Sequence, residues 1–141
     1  MDPFRLVIPR DVWQEVLRQA QTELPNECCG LLHGPEEGPP GLVQEHFPLR
    51  NQLASPVRYL AEPADLIAAH HHRRQHRLRE LAVYHSHPTS APIPSRYDLA
   101  DNGYGLTVVH LIISLESGEP QTRGWWLGET DFTEAEVVWL G

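Results

Sequence analysis

Two histidines one residue apart, His85-Ser86-His87, run straight into Pro88, and no other spacing in the chain is better suited to holding a metal ion. On a β-strand, residues two apart point the same way, with Cα atoms about 6.6 Å apart. Two imidazoles at that separation can converge on one ion at about 2.0–2.1 Å from each nitrogen. Such a pair also arises by chance in a chain with nine histidines, so a third group has to be found. Pro88-Thr89-Ser90-Ala91-Pro92-Ile93-Pro94 is a loop stiffened by three prolines, and Ser95-Arg96-Tyr97-Asp98 then opens a helix. Asp98 has two readings. With Ser95 as N-cap, it completes a capping box in a first turn where the helix dipole favours a carboxylate. Alternatively, the stiff loop folds that turn over the end of the histidine strand, and Asp98 supplies an oxygen as third ligand. Two His and one Asp leave the fourth tetrahedral position to water, the arrangement of a catalytic rather than a structural zinc.

Chemistry of that kind needs a group that takes a proton from the attacking water and delivers one to a leaving amine. Glu27, at the entrance to the strand in Pro25-Asn26-Glu27-Cys28-Cys29-Gly30, is the candidate. Its bland reading is a surface carboxylate in a loop.

The elements that must position these residues follow from periodicity. Phe4 to Ile8 reads as an opening strand. Pro9 starts a helix in which Val12, Val16, Ala20 and Leu24 recur at helical spacing until Pro25. Cys28 to Leu32 and Leu42 to Leu49 read as strands flanking a Pro/Gly-rich loop, with a further short strand over Val57 to Leu60. Glu62 to Arg79 reads as a second helix with Pro63 in its first turn. Leu81 to His87 is a strand by alternation, with Leu81, Val83, His85 and His87 on one face and Ala82, Tyr84 and Ser86 on the other. Ser95 to Asn102 is a helix, Leu106 to Leu115 a buried central strand, and Thr122 to Leu127 and Glu136 to Leu140 close the chain. Alternating strands and helices predict one α/β domain over residues 1–141, with helices packed on a mixed sheet.

A formal charge of -8 excludes nucleic-acid binding by phosphate neutralisation. The basic run Arg73-Arg74-Gln75-His76-Arg77-Leu78-Arg79 reads as the solvated face of a helix. All eleven basic residues are arginine. Codon bias explains that, and the alternative is a surface that cannot accept a lysine-linked modifier. Met1-Asp2-Pro3-Phe4-Arg5 lacks signal architecture and no apolar run is long enough to span a membrane. The adjacent Cys28 and Cys29 do not suit a disulfide, and two free thiols fit a reducing cytoplasm.

Glu27, His85-Ser86-His87-Pro88, six residues, then Ser95-Arg96-Tyr97-Asp98 together resemble the JAMM (MPN-plus) metalloprotease family, whose pattern is a distant Glu and then His-x-His-Pro-x6-Ser-x2-Asp. Glu27-x-Cys29-Gly30-Leu31-Leu32-x-Gly34, Asn51 with Ser55-Pro56 and Tyr59, and Leu111-Ile112-Ile113-Ser114 look like the family's other core segments. The resemblance implies a cytidine-deaminase-like α/β/α sandwich. It implies one catalytic zinc on His85, His87 and Asp98, with Glu27 as general acid/base and Ser95 bonding the oxyanion. The deaminase signature itself is absent. With little room for insertions, the chain looks like the compact prokaryotic members. The implied substrate is therefore a ubiquitin-like or sulfur-carrier protein with a Gly-Gly tail. The competing reading is a non-catalytic MPN-type interaction module, which loss of a ligand would favour. A structural zinc would need a fourth Cys or His, and none lies near the motif.

Other residues are set aside. His70-His71-His72 and His76 read as exposed, because consecutive helical residues face different ways and cannot together chelate one ion. Trp125 and Trp126 straddle a strand, one core and one exposed. Trp13, His110 and the cysteines read as packing.

Overall fold

The computed structural model describes residues 3–141, so Met1 and Asp2, the start of the stretch read for a signal, lie outside the described residues. In chain order the elements are β1 (Leu6–Pro9), α1 (Arg10–Thr22), β2 (Cys29–Pro35), β3 (Glu45–Leu49), α2 (Pro63–Gln75), β4 (Leu78–His87), α3 (Arg96–Ala100), β5 (Val109–Ser114), β6 (Gln121–Leu127), β7 (Phe132–Ala135) and β8 (Val137–Leu140). Six strands form one sheet in the order β3-β2-β4-β5-β6-β7. Only the β4–β5 pair is parallel, so the sheet is mixed. A β-strand cannot return parallel to its neighbour through a tight turn. The β4–β5 crossover, residues 88–108, is the segment that carries the proline loop and α3.

The two long helices cover opposite faces. Trp13, Val16 and Ala20 of α1 pack with Cys28, Leu32, Ala82, Tyr84, Leu111 and Ile113. Ala69 of α2, with Leu66 beside it, packs with Cys29, Leu31, Val83 and Val108. The result is the α/β/α sandwich that the sequence implies. β1 and β8 pair parallel in a separate two-stranded sheet, tied to the rest by a bridge from Val7 to Leu42. None of the described helices is long and apolar enough to cross a membrane.

Several elements differ from the periodicity reading, each for a local reason. Val57 to Leu60 is not a strand; Asn51 bridges to Ala61, and the intervening chain is a loop organised by one side chain. α2 ends at Gln75, because Arg77 takes a left-handed conformation (φ 54°) and the chain turns directly into β4. The basic run is therefore split between helix end, turn and strand. A register shift opposite Leu32 and His33 leaves Leu81 unpaired, so Leu81 joins Ala82 and Tyr84 in the α1-side core rather than sharing a face with Val83. The C-terminal region holds two short strands, β7 and β8, where one was expected. Trp125 is buried; Trp126 is half-buried, its ring edge-on to Phe4 at 5.2 Å.

Gly30, in the middle of β2, has no room for a side chain, since a Cβ there would overlap the buried Tyr84 ring. The Tyr84 hydroxyl donates to the side-chain Oε1 of Gln19 on α1, which holds the ring in place. Gly30→Ala should destabilise the protein by roughly 1–3 kcal/mol, the usual cost of overpacking a core, read as a lower denaturant midpoint at unchanged slope.

Candidate active site

His85 and His87 lie at the C-terminal end of β4 on the face turned toward α2 and α3, and Ser86 between them points the other way. The Ser86 hydroxyl accepts from the Cys28 amide (2.8 Å) and the Ser86 amide donates to the Cys28 carbonyl (3.2 Å). The residue between the two imidazoles thereby locks the backbone next to Glu27. A loop holds Glu27 from the other side: its amide donates to the Ser55 carbonyl (2.8 Å), and its carbonyl accepts from the Asn51 side chain (3.1 Å). The Asn51 side chain also donates to the Arg58 carbonyl and accepts from the Leu53 and Leu60 amides. Nothing in local sequence signals that role.

The proline loop is held by three side chains from three strands. The carbonyls of Ser90, Ala91 and Pro92 accept, in order, from the Ser114 hydroxyl (2.6 Å), His87 Nδ1 (2.8 Å) and the Trp125 indole (2.9 Å). Ser114 and Trp125 are supporting residues that sequence reasoning missed, because β5 and β6 reach the loop only through the sheet.

So anchored, the loop delivers α3 over the histidines. Asp98 caps its own helix and also faces both histidines. The Ser95 hydroxyl accepts from the Asp98 amide (3.1 Å), and the Ser95 amide donates to Asp98 Oδ2 (2.9 Å), a complete capping box. The same carboxylate places Oδ1 3.1 Å from His85 Nε2 and Oδ2 3.1 Å from His87 Nε2. The two Nε2 atoms are 3.2 Å apart. Tetrahedral ligands at zinc distances stand about 3.3 Å from one another; the two imidazole nitrogens have that spacing, and each has it to one of the two Asp98 oxygens.

The tautomers agree with that use. His87 spends its Nδ1–H on the Ala91 carbonyl, which leaves its Nε2 lone pair facing inward. His85 Nδ1 is buried without a hydrogen-bond partner, so its polar contacts are all on the Nε2 side, toward His87 and Asp98. Tyr59 stacks on His85 at 4.8 Å between ring centroids and fixes its plane. Burial works against ionising Asp98, but His85 and His87 and the Ser95 amide outweigh it and hold the carboxyl well below the usual range. Burial likewise opposes charge on His87, but its bonds to Asp98 and the Ala91 carbonyl, with the charges of Asp98 and Glu27, together more than compensate, so its pKa is raised. The cluster's own groups favour a positive charge at its centre.

Glu27 is 3% exposed and its Oε1 has no partner. Burial pushes its carboxyl up to about 8, opposed by His87 and reinforced by Asp98. A buried carboxyl poised near neutrality beside the cluster can both accept and return a proton. All five sequence-derived residues, Glu27, His85, His87, Ser95 and Asp98, are thus brought to one place.

Next to Asp98 opens a cavity of about 240 Å³ whose walls include Tyr59, Leu66, Tyr97, Tyr104 and His110. His110 is buried in the wall of this cavity, and burial, with His85 nearby, pushes its pKa down to about 4.

Residues 9–128 match the profile of the Prok-JAB family, described as prokaryotic homologs of the JAB domain. The chain is 31% identical over 134 residues to a desampylase of Pyrococcus furiosus, covering 94% of this chain and 89% of that one. It is 35% identical over 97 residues to a probable TtuB-protein conjugate cleaving protease of Thermus thermophilus, covering 68% of this chain and 62% of that one. The solution structure of a protein from Desulfitobacterium hafniense superposes with a TM-score of 0.84 at 29% identity, covering 96% of this chain and 92% of that one.

Trp125→Phe keeps an aromatic ring but removes the donor to the Pro92 carbonyl together with the five-membered half of the indole. Loss of such outer support typically costs 10–100-fold in metal affinity. Competition with a chelator should show a drop of about tenfold, while the apo-protein melt falls by the lost hydrogen bond and the space the smaller ring leaves, roughly 1–3 kcal/mol together. Unchanged affinity would mean the loop holds its place without the indole.

Proposed function

This chain belongs to the JAMM/MPN metalloproteases, as one of the prokaryotic homologs of the JAB domain, and from that premise we propose that it is a zinc-dependent peptidase or isopeptidase. Its substrate in this reading is a ubiquitin-like or sulfur-carrier protein, cut at an amide bond following a Gly-Gly tail. The observation that carries the proposal is a pair of imidazole nitrogens 3.2 Å apart, each 3.1 Å from its own oxygen of the Asp98 carboxylate, beside a buried, unpartnered glutamate. A docking module needs neither.

His85, His87 and Asp98 would hold the ion; His₂Asp is a donor set that suits zinc and keeps a position open. Bound there, zinc would supply Lewis acidity, polarising the scissile carbonyl and easing deprotonation of water. Glu27 takes the proton of the attacking water on its unpartnered oxygen and returns it to the leaving amine. The Ser95 hydroxyl spends its lone pair on the Asp98 amide, which leaves its O–H free to donate to the oxyanion of the tetrahedral intermediate. The names of the relatives, a desampylase and a conjugate-cleaving protease, support a small protein modifier as substrate. The short connections between the motif elements agree with a compact tail being threaded to the site.

The test is a ubiquitin-like protein ending in Gly-Gly, extended by one amide-linked residue or joined to a lysine side chain. Zinc-loaded enzyme should release the free tail, detected by mass, and chelation should stop it. Glu27→Gln should retain zinc and fold while turnover falls by roughly 10²–10⁴-fold. Activity within a few-fold of the parent would remove Glu27 from the mechanism.

Asp98→Asn separates cap from ligand. The amide keeps an oxygen for the Ser95 N–H, so the apo-protein should lose no more than about 1 kcal/mol in a melt. Zinc affinity should nonetheless fall steeply, because the anionic charge facing both imidazoles is gone. A lowered melt with unchanged affinity would leave Asp98 as a helix cap alone.

A further inference from the structure

A second group of metal-ligating side chains lies on the same face of the sheet, about 13 Å further along β2 from the residue paired with His85. His33 on β2 and Glu45 on β3 are direct cross-strand partners. The register shift between Leu32 and His33 accompanies a His33 ring that meets α2, and there it meets His72 in the last turn of that helix. Glu45 Oε2 stands 3.1 Å from His33 Nδ1 and 2.7 Å from His72 Nε2. His72 is thus half-buried and engaged, not exposed as helical geometry alone suggested. Its partners come from other elements rather than from His70 and His71.

We propose that His33, Glu45 and His72 form a second divalent transition-metal site, separate from the catalytic cluster. Three arguments support it. First, the donors are two imidazoles and one carboxylate, a combination that zinc and its neighbours take with an open position left for water. With both rings neutral, the group carries one negative charge.

Second, the His33 side chain is fully buried, its Nε2 has no partner, and Glu45 is the only group its ring bonds. A buried imidazole whose sole polar contact is this cluster is placed for the cluster and not for packing, where an apolar residue would serve without desolvation cost.

Third, the surroundings match those of a built site. The Phe47 ring lies 5.5 Å from His72 and 6.0 Å from His33, and His76 stacks on His72 at 4.4 Å. Rings thus shield the donors on several sides. The side chains of Glu45 and His72 stay 29% and 32% exposed, which gives an ion a way in and lets them open by the few tenths of an ångström it needs. An ion here would clamp the C-terminal end of α2 to the β2–β3 hairpin. The same helix contributes Leu66 to the cavity beside Asp98.

The inference does not rest on the catalytic reading, and zinc stoichiometry separates the two. The full-length protein, stripped of metal and dialysed against micromolar Zn²⁺, should bind two ions per chain. His87→Ala and His72→Ala should each bind one, and the double variant none. In the His87→Ala background, zinc at a hundredfold excess over its dissociation constant should raise the melting temperature by on the order of 5–10 °C. Glu45→Gln in that background should abolish the rise while leaving the zinc-free melt nearly unchanged. If His72→Ala binds as much zinc as the parent, or the rise survives Glu45→Gln, the triad is a hydrogen-bonded cluster only and the proposal falls. If instead the catalytic assignment is wrong, His87→Ala will match the parent while His72→Ala still loses its ion.

Discussion

The Asp98 carboxylate is the joint on which the site depends. It accepts from the Ser95 amide, closing a five-residue helix, and it faces both imidazoles of β4. A helix that short cannot persist on propensity, because nucleation costs more than one turn returns. It is held by the cap, by the anchored loop before it and by the charge of the cluster above it. Cap geometry and ligand geometry are therefore one constraint. The carboxylate cannot turn away from the histidines without releasing the helix, so it stays within about 3.1 Å of both imidazoles.

β4 supplies the other half by using both of its faces. Val83, His85 and His87 point to the α2 side. Tyr84 points into the α1-side core and Ser86 toward the chain that follows Glu27. The pleat thus fixes the histidines and the glutamate relative to one another through a single residue. This economy explains why Glu27, 58 residues before His85, needs no long side chain to reach the site: the two antiparallel strands bring their ends together, Cys29 opposite His85. Pre-positioning of this kind is what acid–base chemistry requires, since a proton carrier displaced by an ångström loses much of its effect.

Polar groups are buried at two places along β2, Glu27 at its start and His33 near its end, with an apolar stretch between. Burial of a polar group is costly unless something answers it. At the first, Asn51 and Ser55 hold the Glu27 backbone while one carboxyl oxygen is left unpartnered, and burial raises its pKa. The second is answered by a carboxylate from the neighbouring strand and a histidine from the helix laid across them. The sheet's apolar interior, with Leu31, Leu32, Val83 and Leu111 buried, pays for both.

The sequence alone determined what is encoded by periodicity and spacing. The strand bearing His85 and His87, the stiff loop, the Ser95 cap and the α1 helix were readable because alternation, capping and proline act within a few residues. Grouping Glu27 with His85, His87, Ser95 and Asp98 rested instead on the resemblance to a family motif. The sequence could not say that Asp98 is cap and ligand-like group together; that needed the path of the loop. Nor could it find Ser114, Trp125 and Asn51 as supports, the unpaired Leu81, or the end of α2 at Gln75. His72 shows the reason most plainly. Judged from its own helix it has no chelating partner, and its actual neighbours, His33 and Glu45, stand 39 and 27 residues earlier. Pairings across a sheet and between sheet and helix depend on which surfaces meet when the core closes, and local sequence carries no record of the residue that will be on the other side.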